Sequence, residues 1–257
     1  MLRLYHNKNW LENKYIKEKL SMYQIAEICN VEYYIINNWI HRLNIPVRSV
    51  SEGTHLALAN HCNLSEKAIE WINGELLGDG CIACRHPYSA RIIYTSQYLE
   101  YCQYIKNALE SFGIEGGKIR KRYNKKNNCC SYNYFSYEYE ELLPIKKQWY
   151  PNGKKIVPKN IKLTPLTLRQ WYIGDGHLAY LRKGNPMIVL ATNGFLAKDV
   201  EWLTEQLNKI NFKATIRHSN NNIGISTYST KGFLDYIGRP EVKCYQYKWD
   251  YEKWVTK

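Results

Sequence analysis

A chain of 257 residues with 36 Lys and Arg against 23 Asp and Glu carries a formal net charge of +13, an electrostatic reason to approach phosphate. Its 45% hydrophobic and 14% aromatic content excludes wholesale disorder and supplies apolar surface for two or more domains. No apolar run is long enough to span a bilayer, and the polar stretch Met1–Asn13 does not read as a secretory leader. The eight cysteines are therefore expected to be mostly free thiols of an intracellular protein, its compartment unassigned.

Residues 1–50 read as a helix-turn-helix-like DNA-binding domain. Ser21 caps a helix over Met22–Cys29 with Ile25, Ala26 and Ile28 as its apolar contacts. Cys29-Asn30-Val31 makes a tight turn, and a second helix over Glu32–Leu43 sets Ile35, Ile36, Trp39 and Leu43 at core spacing. Tyr33, Tyr34, Asn37, Asn38, His41 and Arg42 are left for an outer, groove-facing surface; the plain alternative is a mini-domain used for packing. Residues 1–63 hold only 7 Lys/Arg against 5 Asp/Glu, so this module helps placement without dominating the electrostatics. Pro46–Thr54 is its exit linker, and with a short helix over His55–Cys62 it makes residues 51–63 a connecting segment.

From Leu64 the pattern repeats. Ser65 caps a helix running to Gly80, with Ile69, Ile72, Leu76 and Leu77 on its apolar face and Gly74 and Gly78 on one side, where another backbone can approach closely. Strands at Cys81–His86 and Ala90–Ser96, a helix at Tyr98–Phe112, strands at Lys118–Asn124 and Tyr132–Tyr137, and a helix at Tyr139–Trp149 complete the first unit, 64–150. After a linker at 151–163, the second unit, 164–257 with its C-terminal tail, opens on a helix from Thr164 or Pro165 to Asp175-Gly176. Strands at Leu178–Arg182 and Met187–Thr192, a helix at Ala197–Ile210, strands at Lys213–Ser219 and Ile223–Thr227, and a helix at Thr230–Ile237 follow. The expected fold is α+β, helix–strand–strand–helix–strand–strand–helix twice.

Each unit's first helix ends on an Asp-Gly corner, and the two aspartates lie 96 positions apart. The run Ile72-Asn73-Gly74-Glu75-Leu76-Leu77-Gly78-Asp79-Gly80 and the run Leu168-Arg169-Gln170-Trp171-Tyr172-Ile173-Gly174-Asp175-Gly176 resemble the two signature motifs of single-chain LAGLIDADG homing endonucleases. That resemblance covers roughly Leu64–Trp254. It implies two pseudo-symmetric units forming a strand saddle, with Gly74, Gly78 and Gly174 at the helix interface. It further implies Asp79 and Asp175 as hard-oxygen ligands, joined by the backbone of Gly78 and Gly174, for two or three Mg2+ ions, with Mn2+ or Ca2+ able to substitute for binding. One cut per strand of a long double-stranded DNA follows, across the minor groove and with short 3′ overhangs, water rather than aspartate being the nucleophile. The second motif has Gly174-Asp175-Gly176 where many relatives have two adjacent acids, and Glu75 reads as a flanking acid. Asp-Gly at a helix end is also an ordinary structural turn.

The linker run Trp149–Pro158 resembles that of the family's single-chain members, whose lysine two residues before Val157, here Lys155, lies near an active centre. Lys155 is 76 positions beyond Asp79, and Lys248 is 73 beyond Asp175, which pairs them as central basic residues able to stabilise phosphate charge. Gln97 and Asn193, each just past the second strand of its unit, are candidates for ordering water. Lys118, Arg120, Arg122 and Asn124 alternate onto one strand face, opposite Ile119 and Tyr123, and Arg85, Arg91, Arg182, Lys183, Arg217 and His218 extend a basic DNA-binding surface over both units. Residues 64–257 hold 29 Lys/Arg against 18 Asp/Glu, so most of the excess charge belongs here.

Cys81 and Cys84 have metal-like spacing, and Cys129-Cys130 could add ligands, but placement in a strand and direct adjacency argue against a closed zinc site. The reading is a monomeric, magnesium-dependent homing endonuclease with no membrane association. A group I intron maturase that binds intron RNA, with or without nuclease activity, is the leading alternative, and an inactive DNA-binding regulator the third.

Overall fold

Residues 3–124, 128–179, 186–217 and 220–251 are described by the computed structural model; the expected contacts Arg182, Lys183 and His218 lie outside the described residues, as does the side chain of Asn124. The chain divides into two compact units, Met1–Ala59 and Asn60–Lys257.

The N-terminal unit opens with a short turn at Leu4–His6 and α1 (Lys8–Glu12), which runs on into one wide helical turn at Asn13–Lys17. None of this was expected from the polar composition. The helices α2 (Met22–Cys29) and α3 (Tyr33–Arg42) follow. Ser21 and Gln24 form a reciprocal capping box at the start of α2, and Asn30 takes the left-handed conformation that ends it. The core joins Tyr5, Leu11 and Tyr15 to Ile25, Ala26, Ile36, Ile40 and Ile45. One expected core position, Ile28, is 54% exposed, while Ile40, not singled out by its spacing, is fully buried. The helix expected from His55 instead begins at Val50 as α4 (Val50–Leu58), because Ser49 accepts from the Glu52 amide and caps it. Most of the expected exit linker is therefore helical.

The second unit contains the two halves. In the first, α5 (Glu66–Leu77) leads to β1 (Cys81–Ala83), β2 (Arg91–Ser96), α6 (Leu99–Ser111), β3 (Arg120–Asn124), β4 (Cys129–Phe135) and α7 (Leu142–Trp149). The second follows with α8 (Pro165–Asp175), β5 (Gly176–Ala179), β6 (Met187–Leu190), α9 (Ala197–Lys209), β7 (Ala214–Arg217), β8 (Asn222–Ile225) and α10 (Thr227–Ile237), then a 3-10 segment at Lys243–Trp249. Both halves are αββαββα, and both sheets are antiparallel with the same order, β1-β2-β4-β3 and β5-β6-β8-β7. The repeat read from element order is thus a repeat of topology.

Several boundaries differ from expectation for local reasons. Tyr139 pairs with Ala90 in an isolated bridge, so α7 starts three residues later than the helix expected there. The Ser229 amide donates to the Ser226 carbonyl at 2.9 Å and α10 starts at Thr227, three residues earlier than expected, while Ile69 on α5 is 37% exposed rather than core. One apolar cluster runs through both halves, from Trp71 and Leu76 on α5 to Leu168 and Trp171 on α8. Among the described residues, no helix is long and apolar enough to cross a membrane.

Candidate active site

The helices α5 and α8 meet along their length, and the contact depends on what is missing from it. A Cβ on Gly74 would lie 2.5 Å from the Thr167 carbonyl oxygen and 2.7 Å from Gln170 Cβ, so only glycine fits against α8 there. Gln170 stands in the second motif where the first has Gly74; it is fully buried and hydrogen-bonds the Tyr104 hydroxyl at 2.9 Å. Thr164 and Thr167 bind Glu70 on α5 through its carboxylate and its carbonyl, at 2.9 and 3.1 Å. At the far end, a Cβ on Gly174 would sit 3.0 Å from the Asp79 amide nitrogen and 3.2 Å from Gly78 Cα. The two backbones therefore touch immediately beside the aspartates.

Asp79 and Asp175 are not equivalent. α5 stops at Leu77, so Asp79 lies in the turn before β1 and is exposed; α8 continues through Asp175, which is half-buried, and β5 starts at the next residue. Burial, then the neighbouring Asp79 charge, pushes the Asp175 carboxyl up to about 6 against the opposing pull of Lys155 and Lys248. Glu75 does not join them. Its carboxylate is buried within the first half, accepts from the Tyr101 hydroxyl at 3.0 Å, and is raised to about 8 chiefly by desolvation.

Each aspartate has a lysine at its helix end. Lys155 Nζ donates to the Gly78 and Gly80 carbonyls at 3.2 and 3.1 Å, and Lys248 Nζ to the Ile173 and Gly174 carbonyls at 2.6 and 3.2 Å. These are carbonyls at or just past the ends of α5 and α8, where the helix dipole favours a cation. Burial lowers both ammonium groups, Lys248 to about 8, against the attraction of both aspartates. The Gly78 and Gly174 carbonyls, expected as metal ligands, are already hydrogen-bonded acceptors. Gln97 and Asn193 are exposed, just past β2 and β6.

The register of the first sheet separates its two faces. Ile92 and Tyr94 pack inward beneath α6, whereas Arg91, Thr95, Asn133, Arg120 and Arg122 share the opposite face. Arg120 and Arg122 are exposed, as is Lys118 just before the strand, and the Arg91 guanidinium lies 5.1 Å from the Phe135 ring centroid. Tyr123 is also 54% exposed, so β3 is solvated on both sides rather than two-faced. Arg85 is exposed, 3.8 Å from the Glu138 carboxylate. In the second sheet, Arg217 and His177 share the outward face. His177 was missed in the sequence although it follows Asp175-Gly176 directly; burial and then Lys248 and Arg217 hold its imidazole below the ordinary value. Among the described residues no disulfide joins the cysteines, and no group of three or more His, Cys, Asp or Glu is arranged for a metal ion.

Residues 69–233 match the LAGLIDADG DNA endonuclease family. The chain belongs to this family. Its fold agrees: the homing endonuclease I-WcaI bound to its DNA recognition sequence superposes with a TM-score of 0.63 at 21% identity, over 78% of this chain and 93% of that one. An uncharacterized protein of Methanocaldococcus jannaschii is 26% identical over 61% of this chain and 62% of its own length. The cytochrome b mRNA maturase bI2 of Debaryomyces hansenii is 28% identical over 60% of both chains. The LAGLIDADG chain thus spans less than two thirds of those two curated relatives.

Proposed function

We propose that this LAGLIDADG protein is a site-specific double-stranded DNA homing endonuclease that cuts one phosphodiester per strand and leaves short 3′ overhangs. The observation that carries this reading is the junction of α5 and α8. Two aspartates, the buried Lys248 and the half-buried Lys155 gather where the Gly78 and Gly174 backbones touch.

The donor set fits a hard divalent cation, Mg2+ in this reading. Two carboxylates supply oxygen ligands, and Asp175, held near 6 by burial and a like charge, is a group that a cation would relieve. Such a cation supplies polarisation of the phosphodiester and a lowered pKa for attacking water. Asp79 and Asp175 hold it, and Lys155 and Lys248 present positive charge toward the phosphate while fixed on the helix-end carbonyls. Arg91, Arg120 and Arg122, with Lys118 beside them and Arg217 in the other half, read base edges or clasp phosphates on the outward sheet faces. Tyr34, Asn38, His41 and Arg42, exposed on α3, offer a second DNA surface in the N-terminal unit.

The test is cleavage of a randomised duplex library in Mg2+, with sequencing of the ends. Reproducible paired cuts are expected; no sequence-dependent cutting by folded protein would overturn the reading. Similarity to the cytochrome b mRNA maturase supports a second reading, group I intron RNA binding, which a direct intron-binding assay decides.

A further inference from the structure

Asp199, in the first turn of α9, is 1% exposed although it is a carboxylate. One of its oxygens accepts from the Val157 amide at 3.2 Å and the other from Lys159 Nζ at 2.8 Å. Lys159 also lies over the Trp202 ring of the same helix, at 4.9 Å. The linker between the two halves is thereby fastened to the second half at two points, just past Lys155. On its other side, the Ile156 amide donates to the Trp149 carbonyl at 2.8 Å. Lys155 itself reaches the first motif through the Gly78 and Gly80 carbonyls, with its ammonium 5.8 Å from the ring of Phe195, which precedes α9.

We propose that Asp199 is a positioning residue for Lys155, so that the second half sets the basic group of the first-motif centre; this rests on the endonuclease reading. The physical argument is entropic and geometric. A lysine on an unfastened surface linker samples many rotamers and backbone states, and fixing its neighbours removes that freedom before substrate arrives. A buried carboxylate is retained only where it is paired, and both oxygens of Asp199 are committed to the linker. Lys248 is held differently. Its carbonyl accepts from the Tyr172 hydroxyl of its own motif helix at 2.7 Å, so loss of Asp199 should reach one centre and not the other.

The experiment compares Asp199→Ala, Asp199→Asn and Lys155→Met on a supercoiled plasmid bearing the cognate site, following the nicking of each strand separately. Asp199→Ala is expected to slow the strand that Lys155→Met slows by about tenfold, in the range a misplaced electrostatic contact costs, and to leave the strand bias otherwise like that of Lys155→Met. Asp199→Asn, which keeps an acceptor for the Val157 amide, should stay within a few-fold of the parent. Hydrogen exchange of the Ile156 and Val157 amides, which needs no activity, should accelerate in Asp199→Ala while the α5 amides stay protected. Equal slowing of both strands where Lys155→Met is selective, or unchanged exchange in the linker, would overturn the proposal. If the parent cuts no DNA, the endonuclease reading fails by itself and the exchange result alone decides whether Asp199 positions the linker.

Discussion

Gly74 and Gln170 occupy corresponding places in the two motifs and fill the same space from opposite sides: the absent side chain of one makes room for the buried side chain of the other. The pair is complementary rather than symmetric: Gln170 lies against Gly74 and hydrogen-bonds Tyr104 of the first half. A graded steric series follows. Gly74→Ala puts a Cβ 2.5 Å from a backbone oxygen that cannot move alone and should cost about 2–3 kcal/mol, lowering Tm by several degrees. Gly78→Ala, whose nearest neighbour would be 3.4 Å away, should be nearly neutral, with Gly174→Ala between them. Thermal melts of the three variants check the order, and a Gly74→Ala protein as stable as the parent would contradict the observed packing.

The same junction makes a trade-off at Asp175. Its carboxyl is raised from 3.8 to about 6, so the folded state holds a proton that the unfolded chain releases between those values. Stability is thus lost as pH rises from about 4 through 6 and stays lost above. Asp175→Asn should abolish cutting of at least one strand and, in metal-free buffer at pH 7.5, stabilise the fold by on the order of 2 kcal/mol. The gain should fade as the pH approaches 4. Melts of both proteins across that range, in chelator, give the answer; a destabilised Asp175→Asn protein at pH 7.5 would rule the account out.

Glu75, buried four residues before Asp79 and within reach of its charge, permits a separate check. Its burial raises the carboxyl from 4.5 to about 8, the same sign as at Asp175, so its cost grows as pH rises through that window and is complete above 8. Gln at this position can still accept from Tyr101 and carries no charge. Glu75→Gln should therefore raise Tm at pH 8.5 and match the parent near pH 4.5, with cutting retained. Loss of cutting in a stabilised variant would instead place Glu75 within the catalytic machinery.

What could be read beforehand was set by periodicity and by the two Asp-Gly corners. Apolar spacing located α5, α6, α8 and α9, and the alternation of Arg120 with Arg122 is reproduced in the register of β3 on β4. Contacts that depend on residues distant in sequence were not legible. Nothing in the sequence singles out Asp199, an acid in the first turn of a helix; only tertiary folding brings Val157 and Lys159 to it. Glu75 reads in sequence as a flanking acid, and its place against Tyr101 emerges only from the fold. The N-terminal turns before Ser21 escaped because their few apolar anchors, Tyr5, Leu11 and Tyr15, are separated by polar residues and gain their burial from α2 and α3.

The N-terminal unit gives the last expectation. Met1–Ala59 has its own core, from Tyr5 to Ile45, and is separable by its contacts from Asn60–Lys257. Its α3 presents Tyr34, at 60% exposure, together with exposed Asn38, His41 and Arg42, the last with its guanidinium stacked 4.8 Å from the Trp39 ring. These are groups able to reach base edges and phosphates, yet residues 1–63 have a charge excess of only two. Removal of residues 1–59 should therefore leave a folded body with both aspartates, weaken binding to the cognate duplex by about 10–100-fold, and reduce the salt dependence only slightly. Arg42→Ala and His41→Ala in the full chain should each reproduce part of that loss. Binding isotherms at several salt concentrations measure both quantities, and unchanged affinity in the shortened protein would assign the N-terminal unit a role other than DNA contact.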